Sequence, residues 1–497
     1  MNNLSDEIDF VCESALLSTP NRARLNGLRR VSKDWRDSLD RNTHENQIIN
    51  GVTTRPYDVV FGVLVARFSA SDVTATTIRP PREAGLRVIP DDAFPVAFNR
   101  IASVDLSLCD TLVSVGARAF QTATITSLLL PASPQNLVSI GDSAFESAWR
   151  LDAIDLSNCF ALKTIGNRAF FGSRFTELDL KECNALETIG ENAFYWSRLT
   201  ALDLSKCTRI ETIGISAFNK SPLTTLDLSN CLALRKIRDG AFFSSVLTTL
   251  YLHCFETLDE IGNNAFQRSE LDMLDLSGFT ALKTIGNGAF YESTLTTLDL
   301  SDCTGLETIG EGAFRLSGLA TLYLASCTAL KEIGDDAFLF SVLTALDLSR
   351  CTALKTIGDR AFAYAMPTEL DLSNCTALEK IGERAFHTSR LTTLDLRGCP
   401  ALVTIGERAF SESRLTTLDF SKCVALERIE SSAFNASNIN RLDFSSCTEL
   451  EYIGFKAFGD SVITLLNLSN CTYPVYVVNR QYEWMTLAAG VYAFPGM

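Results

Sequence analysis

Histidine is nearly missing from this 497-residue chain, which has only His44, His253 and His387. With so few imidazoles, a zinc reading of its cysteines fails. Positive charge is short as well: 44 Lys and Arg face 59 Asp and Glu, giving a net charge of −15. That balance excludes the basic patches a nucleic-acid surface needs and biases the chain toward neutral or basic partners. No long apolar run exists. The longest, Val59–Ala66, is far below the roughly 20 residues that span a bilayer, so no membrane partner is expected. The opening MNNLSDEIDF carries acids where a secretory signal carries bases ahead of an apolar core. The expected compartment is the cytoplasm. Also lacking is any catalytic pattern that occurs once: no nucleophile elbow, phosphate loop or metal-ligand spacing can be found. No enzyme and no cofactor are expected.

What the chain has instead is repetition. The stretch Leu391–Phe410, LTTLDLRGCPALVTIGERAF, returns almost unchanged at Leu415–Phe434 and at Leu343–Phe362. An Ala-Phe pair ends at Phe94, Phe120, Phe145 and Phe170, then recurs every 24 residues through to Phe458. Within the unit, Leu394 and Leu396 alternate with Asp395, the period of two that gives a short strand one buried face. Cys399, Leu402 and Ile405 point back into the same core. Gly406 reads as a turn residue in the left-handed conformation, and Glu407–Phe410 reads as one short helical turn on the outer side. Arg238 and Glu430 replace that glycine in two units, where strain or a shifted turn is expected. No unit can bury its own leucines, so each needs a neighbour above and below.

This period with L-x-x-L-x-L-x-x-C-x-x-L inside it marks a leucine-rich-repeat solenoid, an α/β repeat with parallel strands on a concave face and short helical turns outside. The I-G-x-x-A-F signature, as in Ile405-Gly406 and Ala409-Phe410, resembles the BspA-type repeat. The L-x-x-L-x-L-x-x-C-x-x-L half resembles the cysteine-containing repeats of F-box proteins. Both resemblances cover about residues 86–470, and both families are binding scaffolds with varied ligands. The cysteine that usually follows Ala-Phe is mostly serine here, as at Ser389 and Ser413.

Thirteen of the fifteen cysteines fall on one repeat position, from Cys109 and Cys159 to Cys471. Side chains on successive coils, about 4.8 Å apart, point the same way, whereas a disulfide needs two side chains turned toward each other. The column therefore reads as buried free thiols.

Residues 4–40 stand outside the repeats. Ile8, Val11, Cys12, Ala15 and Leu16 recur at helical spacing after Ser5, and Leu25, Leu28, Val31, Trp35 and Leu39 give a second apolar stripe after Pro20. The run Leu28-Arg29-Arg30-Val31-Ser32-Lys33-Asp34-Trp35 resembles the closing segment of the F-box, with Ser5 standing where that family has proline. The resemblance implies docking to the linker subunit of SCF ubiquitin ligases through Leu4, Ile8, Leu28, Val31 and Trp35. The other reading is a pair of helices that cap the first coil. The expected organisation is an F-box-like helical segment at 1–45, a linker or small insert at 46–85, the solenoid at 86–472 and an aromatic-rich cap at 473–497.

The residue between the two strand leucines points out onto the face expected to be concave, and twelve units carry Asp there, among them Asp347, Asp371 and Asp395. Carboxylates about 4.8 Å apart repel by roughly 0.9 kcal/mol in bulk water, so a solvated ladder is tolerable; a cation site or a groove for a basic partner are the alternatives. Tyr251 and Tyr323 interrupt the ladder, with His253 and Met273 on neighbouring positions. Exposed aromatics flanked by acids have the make-up of a protein-binding hot spot, although decay of the repeat would produce them too. Three functions compete: a ubiquitin-ligase substrate adaptor with a protein ligand on the concave face, a stand-alone binding scaffold, and a cell-surface adhesin of BspA type.

Overall fold

The computed structural model describes residues 57–60, 63–66, 77–80, 85–94 and 101–493 except 132–133, 255, 325, 462, 473–474 and 479–483. The F-box-like segment, including Leu4, Ile8, Leu28, Val31 and Trp35, lies outside the described residues. The chain winds as a parallel-strand solenoid of about sixteen turns.

Each coil buries the residues that the periodicity selects. In the coil from Leu391, the side chains of Leu391, Leu396, Cys399, Leu402, Ile405, Ala409 and Phe410 are fully buried. Each fully buried large apolar side chain is worth about 1.5–3 kcal/mol. The sixteen phenylalanines from Phe94 to Phe458 form one continuous stack, with centroids of successive rings 4.7–5.5 Å apart and ring planes nearly parallel. Offset stacking adds about 0.5–1.5 kcal/mol per pair beyond the area buried.

Two ladders of strands run along the solenoid. The longer is built from the residue pairs that precede the turn glycine, such as Thr404–Ile405, each in parallel register with the coil on either side. It forms a sheet of twenty strands, closed at one end by the antiparallel hairpin Tyr57–Val60/Val63–Ala66 and at the other by Val475–Val478/Trp484–Leu487. The Leu-x-Leu strands, where the sequence places the main sheet, form only separate two- and three-stranded pieces. At the last coil, Val491–Ala493 pairs antiparallel with Leu465–Asn467.

The short helical turns expected at Glu407–Phe410 and its equivalents are not helical; among the described residues there is no helix. An α-helix needs every N–H to reach back four residues, and here alternate N–H groups are committed elsewhere. Those of Arg408, Phe410 and Glu412 donate to Ser431, Ala433 and Asn435 of the next coil at 3.0, 2.7 and 2.8 Å. Those of Ala409, Ser411 and Ser413 reach back only three residues, at 3.1–3.2 Å. The left-handed residues are Arg408 (φ 54°) and Glu412 (φ 62°), and equivalents recur along the chain. Gly406 is not left-handed. Its absent side chain serves close approach, since a Cβ would lie 2.5 Å from the carbonyl carbon of Gly382 one coil back. The strain expected at Arg238 and Glu430 does not displace the turn: their N–H groups keep the inter-coil bonds to Ile213 and Ile405, at 3.0 and 2.9 Å.

Register between coils is fixed by side-chain staples. Asp239 Oδ1 accepts from the Asn263 N–H at 2.9 Å, Asn263 Oδ1 from Asn287 at 2.8 Å, and Asn287 Oδ1 from Glu311 at 2.9 Å. Asp335 and Asp359 continue the pattern at 2.7 and 2.8 Å. A slip of one residue between coils would break every bond in such a ladder at once, so it specifies the stacking.

All fourteen described cysteines are buried and free. Their sulfurs are not mere apolar filler. Nine thiols, including Cys183, Cys207, Cys303 and Cys399, donate at 3.1–3.7 Å to the carbonyl at the second Leu position of the Leu-x-Leu motif one coil back. Burial, then the charge of Asp179, pushes the Cys183 thiol up to about 12. The column also departs from strict periodicity. Cys254, two residues after Leu252 rather than three, is buried there, and Phe279 fills the next place.

Candidate functional site

The aspartate ladder is part of the fold before it is anything else. In all twelve cases Oδ1 accepts the N–H two residues on, at 2.7–3.0 Å, from Ser107 onto Asp105 to Ser445 onto Asp443. Asn467 does the same in its coil at 3.1 Å. An Asp or Asn side chain that binds its own backbone in this way builds a turn, here ending the strand and sending the chain into the core. These bonds change the carboxyl groups. Burial opposes ionisation of Asp203, but the Ser205 hydroxyl and N–H outweigh it, and its carboxyl sits below the ordinary value. At Asp443 the Ser445 hydroxyl is the main cause of a lowered value, aided by Ser445 N–H and Asn467. Asp395 is lowered chiefly by its bond from Arg397, whose Nη2 lies 2.6 Å from Oδ2. Asp347 and Asp371 stay exposed beside it on the same column. Among the described residues no group of three or more His, Cys, Asp and Glu side chains is arranged to hold a metal ion.

The interruptions are placed where the alternation puts them. Tyr251 takes the register position opposite Asp227, and Tyr323 the position opposite Asp299. Both are half-exposed, at 52% and 50%. They share one column, three coils apart, which is about 14 Å at ~4.8 Å per coil, with Asp275 and Asp299 between. Met273 stands in the adjoining column, in register with Thr297 and 66% exposed. His253 is exposed on the strand end that carries Tyr251. Tyr251, His253 and Met273 therefore share one face over two coils, and Tyr323 extends it. Asp347, Asp371 and Asp395 lie further along and carry the turn bonds of their own coils.

A second surface was missed by reading strands alone. Phe340 and Tyr364 stack at 4.6 Å on the turn side of the coil, exposed rather than buried. Its signal in the sequence is a column, two residues after the core phenylalanine, that turns from polar at Glu292 to apolar and aromatic at Leu316, Phe340 and Tyr364.

Geometry of this kind, with short parallel strands, a non-helical turn bonded to the next coil and one buried phenylalanine in each repeat, defines a leucine-rich-repeat solenoid. The family described as "BspA type Leucine rich repeat region" matches residues 83–183, 138–272, 235–366 and 355–474. The chain belongs to that family. No curated protein matches it. Among solved structures, a leucine-rich repeat protein from Bacteroides ovatus is 19% identical, covering 82% of this chain and 99% of that one, with a TM-score of 0.48. The functional domain of InlJ from Listeria monocytogenes, which includes a cysteine ladder, is 16% identical, covering 76% and 72%, with a TM-score of 0.27.

Proposed function

We propose that the chain is a protein-binding scaffold whose ligand lies across the Leu-x-Leu face, anchored by Tyr251 and Tyr323. The observation that carries this reading is the replacement of a turn-building aspartate by a half-exposed tyrosine in two coils of one column. Each replacement forgoes a backbone bond that the twelve aspartates make, and gains apolar area with a polar tip, the composition of a binding anchor. The flanking Asp227, Asp275, Asp299 and Asp347 favour a partner with basic side chains around an apolar contact.

The more particular reading is that this scaffold selects substrates for an SCF-type ubiquitin ligase in the cytoplasm. It rests on the resemblance of Leu28–Trp35 to the F-box, with Leu4 and Ile8 completing the docking face. Affinity purification of the full chain from its native cell tests both levels. Tyr251→Ala with Tyr323→Ala is expected to lose the ligand and keep the ligase linker subunit; Val31→Ala with Trp35→Ala is expected to do the reverse. If the wild-type chain never co-purifies with the linker subunit, the adaptor role falls and the scaffold stands. If the tyrosine variant retains every partner, the site on the Leu-x-Leu face falls.

A further inference from the structure

We infer that the turn side of the coils from Phe338 to Arg414 carries a second docking site, for an extended acidic peptide segment of a partner protein with an apolar anchor. The site is distinct from the Leu-x-Leu face and does not depend on the reading given to it.

Two columns of the turn carry the argument. Two residues past the core phenylalanine, neighbouring coils place Arg268, Glu292, Thr388 and Glu412, but Leu316, Phe340 and Tyr364 occupy this column in between. At Phe340 and Tyr364 the position is left-handed, with φ of 60° and 63°, a conformation bulky side chains disfavour. Both rings are nonetheless out in solvent, 46% and 42% exposed and stacked at 4.6 Å. Four residues past the phenylalanine, the companion column runs Val342, Met366, Arg390 and Arg414. Together Phe340, Val342, Tyr364, Met366 and Arg390 line a recess of about 420 Å³, with Ser341 and Thr388.

Charge identifies the occupant. Among the described residues, eighteen lysines and arginines are paired with a carboxylate on the same or the adjacent coil, as Arg360 is with Asp336 and Lys331 with Glu307. Arg390 and Arg414 are exposed and have no ion pair among the described residues. The one carboxylate in the two columns here, Glu412, is held by the Thr388 hydroxyl at 3.3 Å. An apolar recess that ends in two consecutive unpaired guanidinium groups, one coil or about 5 Å apart, fits an extended segment. Its large apolar side chain would fill the recess, and its Asp or Glu side chains would follow one another along the solenoid axis. Toward the other end of the chain the companion column carries Trp149, where the Arg150 guanidinium lies 4.6 Å over the ring and Arg174 donates to the Trp149 carbonyl at 3.4 Å.

The test is selection of phage-displayed random peptides on the full chain, followed by titration of a synthetic peptide bearing the selected consensus. Expected is a consensus with an aromatic or large aliphatic residue followed closely by Asp or Glu. Its affinity should fall about tenfold or more, or some 1.4 kcal/mol, with Arg390→Glu and Arg414→Glu together. It should fall likewise with Phe340→Ser and Tyr364→Ser, weaken with added salt, and stay unchanged in Tyr251→Ala/Tyr323→Ala. All four substituted side chains in the first two variants are exposed, and unchanged denaturation midpoints confirm that the variants fold. Selection of no consensus, of one without acids, or of peptides that bind the Arg390→Glu/Arg414→Glu chain equally well overturns the inference. Asp6→Asn, Glu7→Gln and Asp9→Asn together, in the full chain, must leave affinity unchanged. If they tighten it, the occupant is the chain's own N-terminal segment and the assignment to a partner is wrong.

Discussion

Replacing Phe386 by alanine removes one ring from the middle of the stack that runs the length of the solenoid. Phe386 is fully buried, with Phe362 centred 5.1 Å away on one side and Phe410 5.2 Å away on the other. Deleting a buried phenylalanine costs about 3–5 kcal/mol through lost burial and the cavity left behind. The upper half of that range is expected here, because two stacking contacts worth about 0.5–1.5 kcal/mol each are lost together. The flanking rings cannot collapse into the gap, since the inter-coil bonds from Phe386 N–H to Ala409 and from Phe410 N–H to Ala433, both 2.7 Å, hold the coils at their spacing. Guanidinium unfolding followed by far-ultraviolet circular dichroism measures the loss. Phe160→Ala is the control: that ring is exposed, and its removal is expected to fall within about 0.5 kcal/mol. A Phe386→Ala chain within about 1 kcal/mol of wild type, or a control that loses as much, would refute the stacking argument.

Three further outcomes follow from the columns. Asp203→Ala is expected to destabilise by about 1 kcal/mol through loss of its turn bond, whereas Asp203→Asn should be near neutral, because Asn467 builds the same turn; paired denaturation curves decide. Since the Asp203 and Asp443 carboxyls are lowered in the folded state, their contribution is present above the unfolded value of about 3.9 and is lost as pH falls through the folded one. The Asn variants should therefore flatten the acid limb of a stability–pH profile. The cysteines act at the other end of the scale. Burial raises the thiols, Cys303 to about 12, so their contribution is complete below the free-thiol value of about 8.5 and drains away as pH rises toward 12. Stability should fall steeply in alkali, native thiols should label slowly, and Cys303→Ala should reduce the alkaline slope. Asn263→Ala removes the acceptor of the rung to Asn287 and should speed amide exchange there, while Asn263→Asp, which keeps the acceptor, should not.

The solenoid was legible because its physics is periodic: one phenylalanine, four leucines and one isoleucine return at a fixed interval, as Leu391, Leu394, Leu396, Leu402, Ile405 and Phe410 do, and these are inside. The left-handed residues were not legible, because Arg408, Glu412, Asn264 and Tyr364 have no residue type in common. What places them in that conformation is the neighbouring coil, which takes every second N–H group of the turn. Gly406 misled for the same reason, since its lack of a side chain answers contact with Gly382 and not its own φ. On the Leu-x-Leu face, period two placed Tyr251, Tyr323 and Met273 on the outward side, where they are exposed, but the turn-building role of the aspartates depends on a bond two residues along the chain and leaves no pattern beyond the ladder itself. The exposed Phe340–Tyr364 pair escaped because aromatics beside a core phenylalanine look like more core until the turn is known to face outward.

Removal of one whole unit, residues 391–414, tests the central claim most directly. It joins Arg390 to Leu415, equivalent points of successive coils, so every column stays continuous. A stack held together by nearest neighbours should remain folded, lose about 5 Å of length by small-angle scattering, and be less destabilised than Phe386→Ala. A deletion that unfolds the chain while Phe386→Ala leaves it intact would contradict the account.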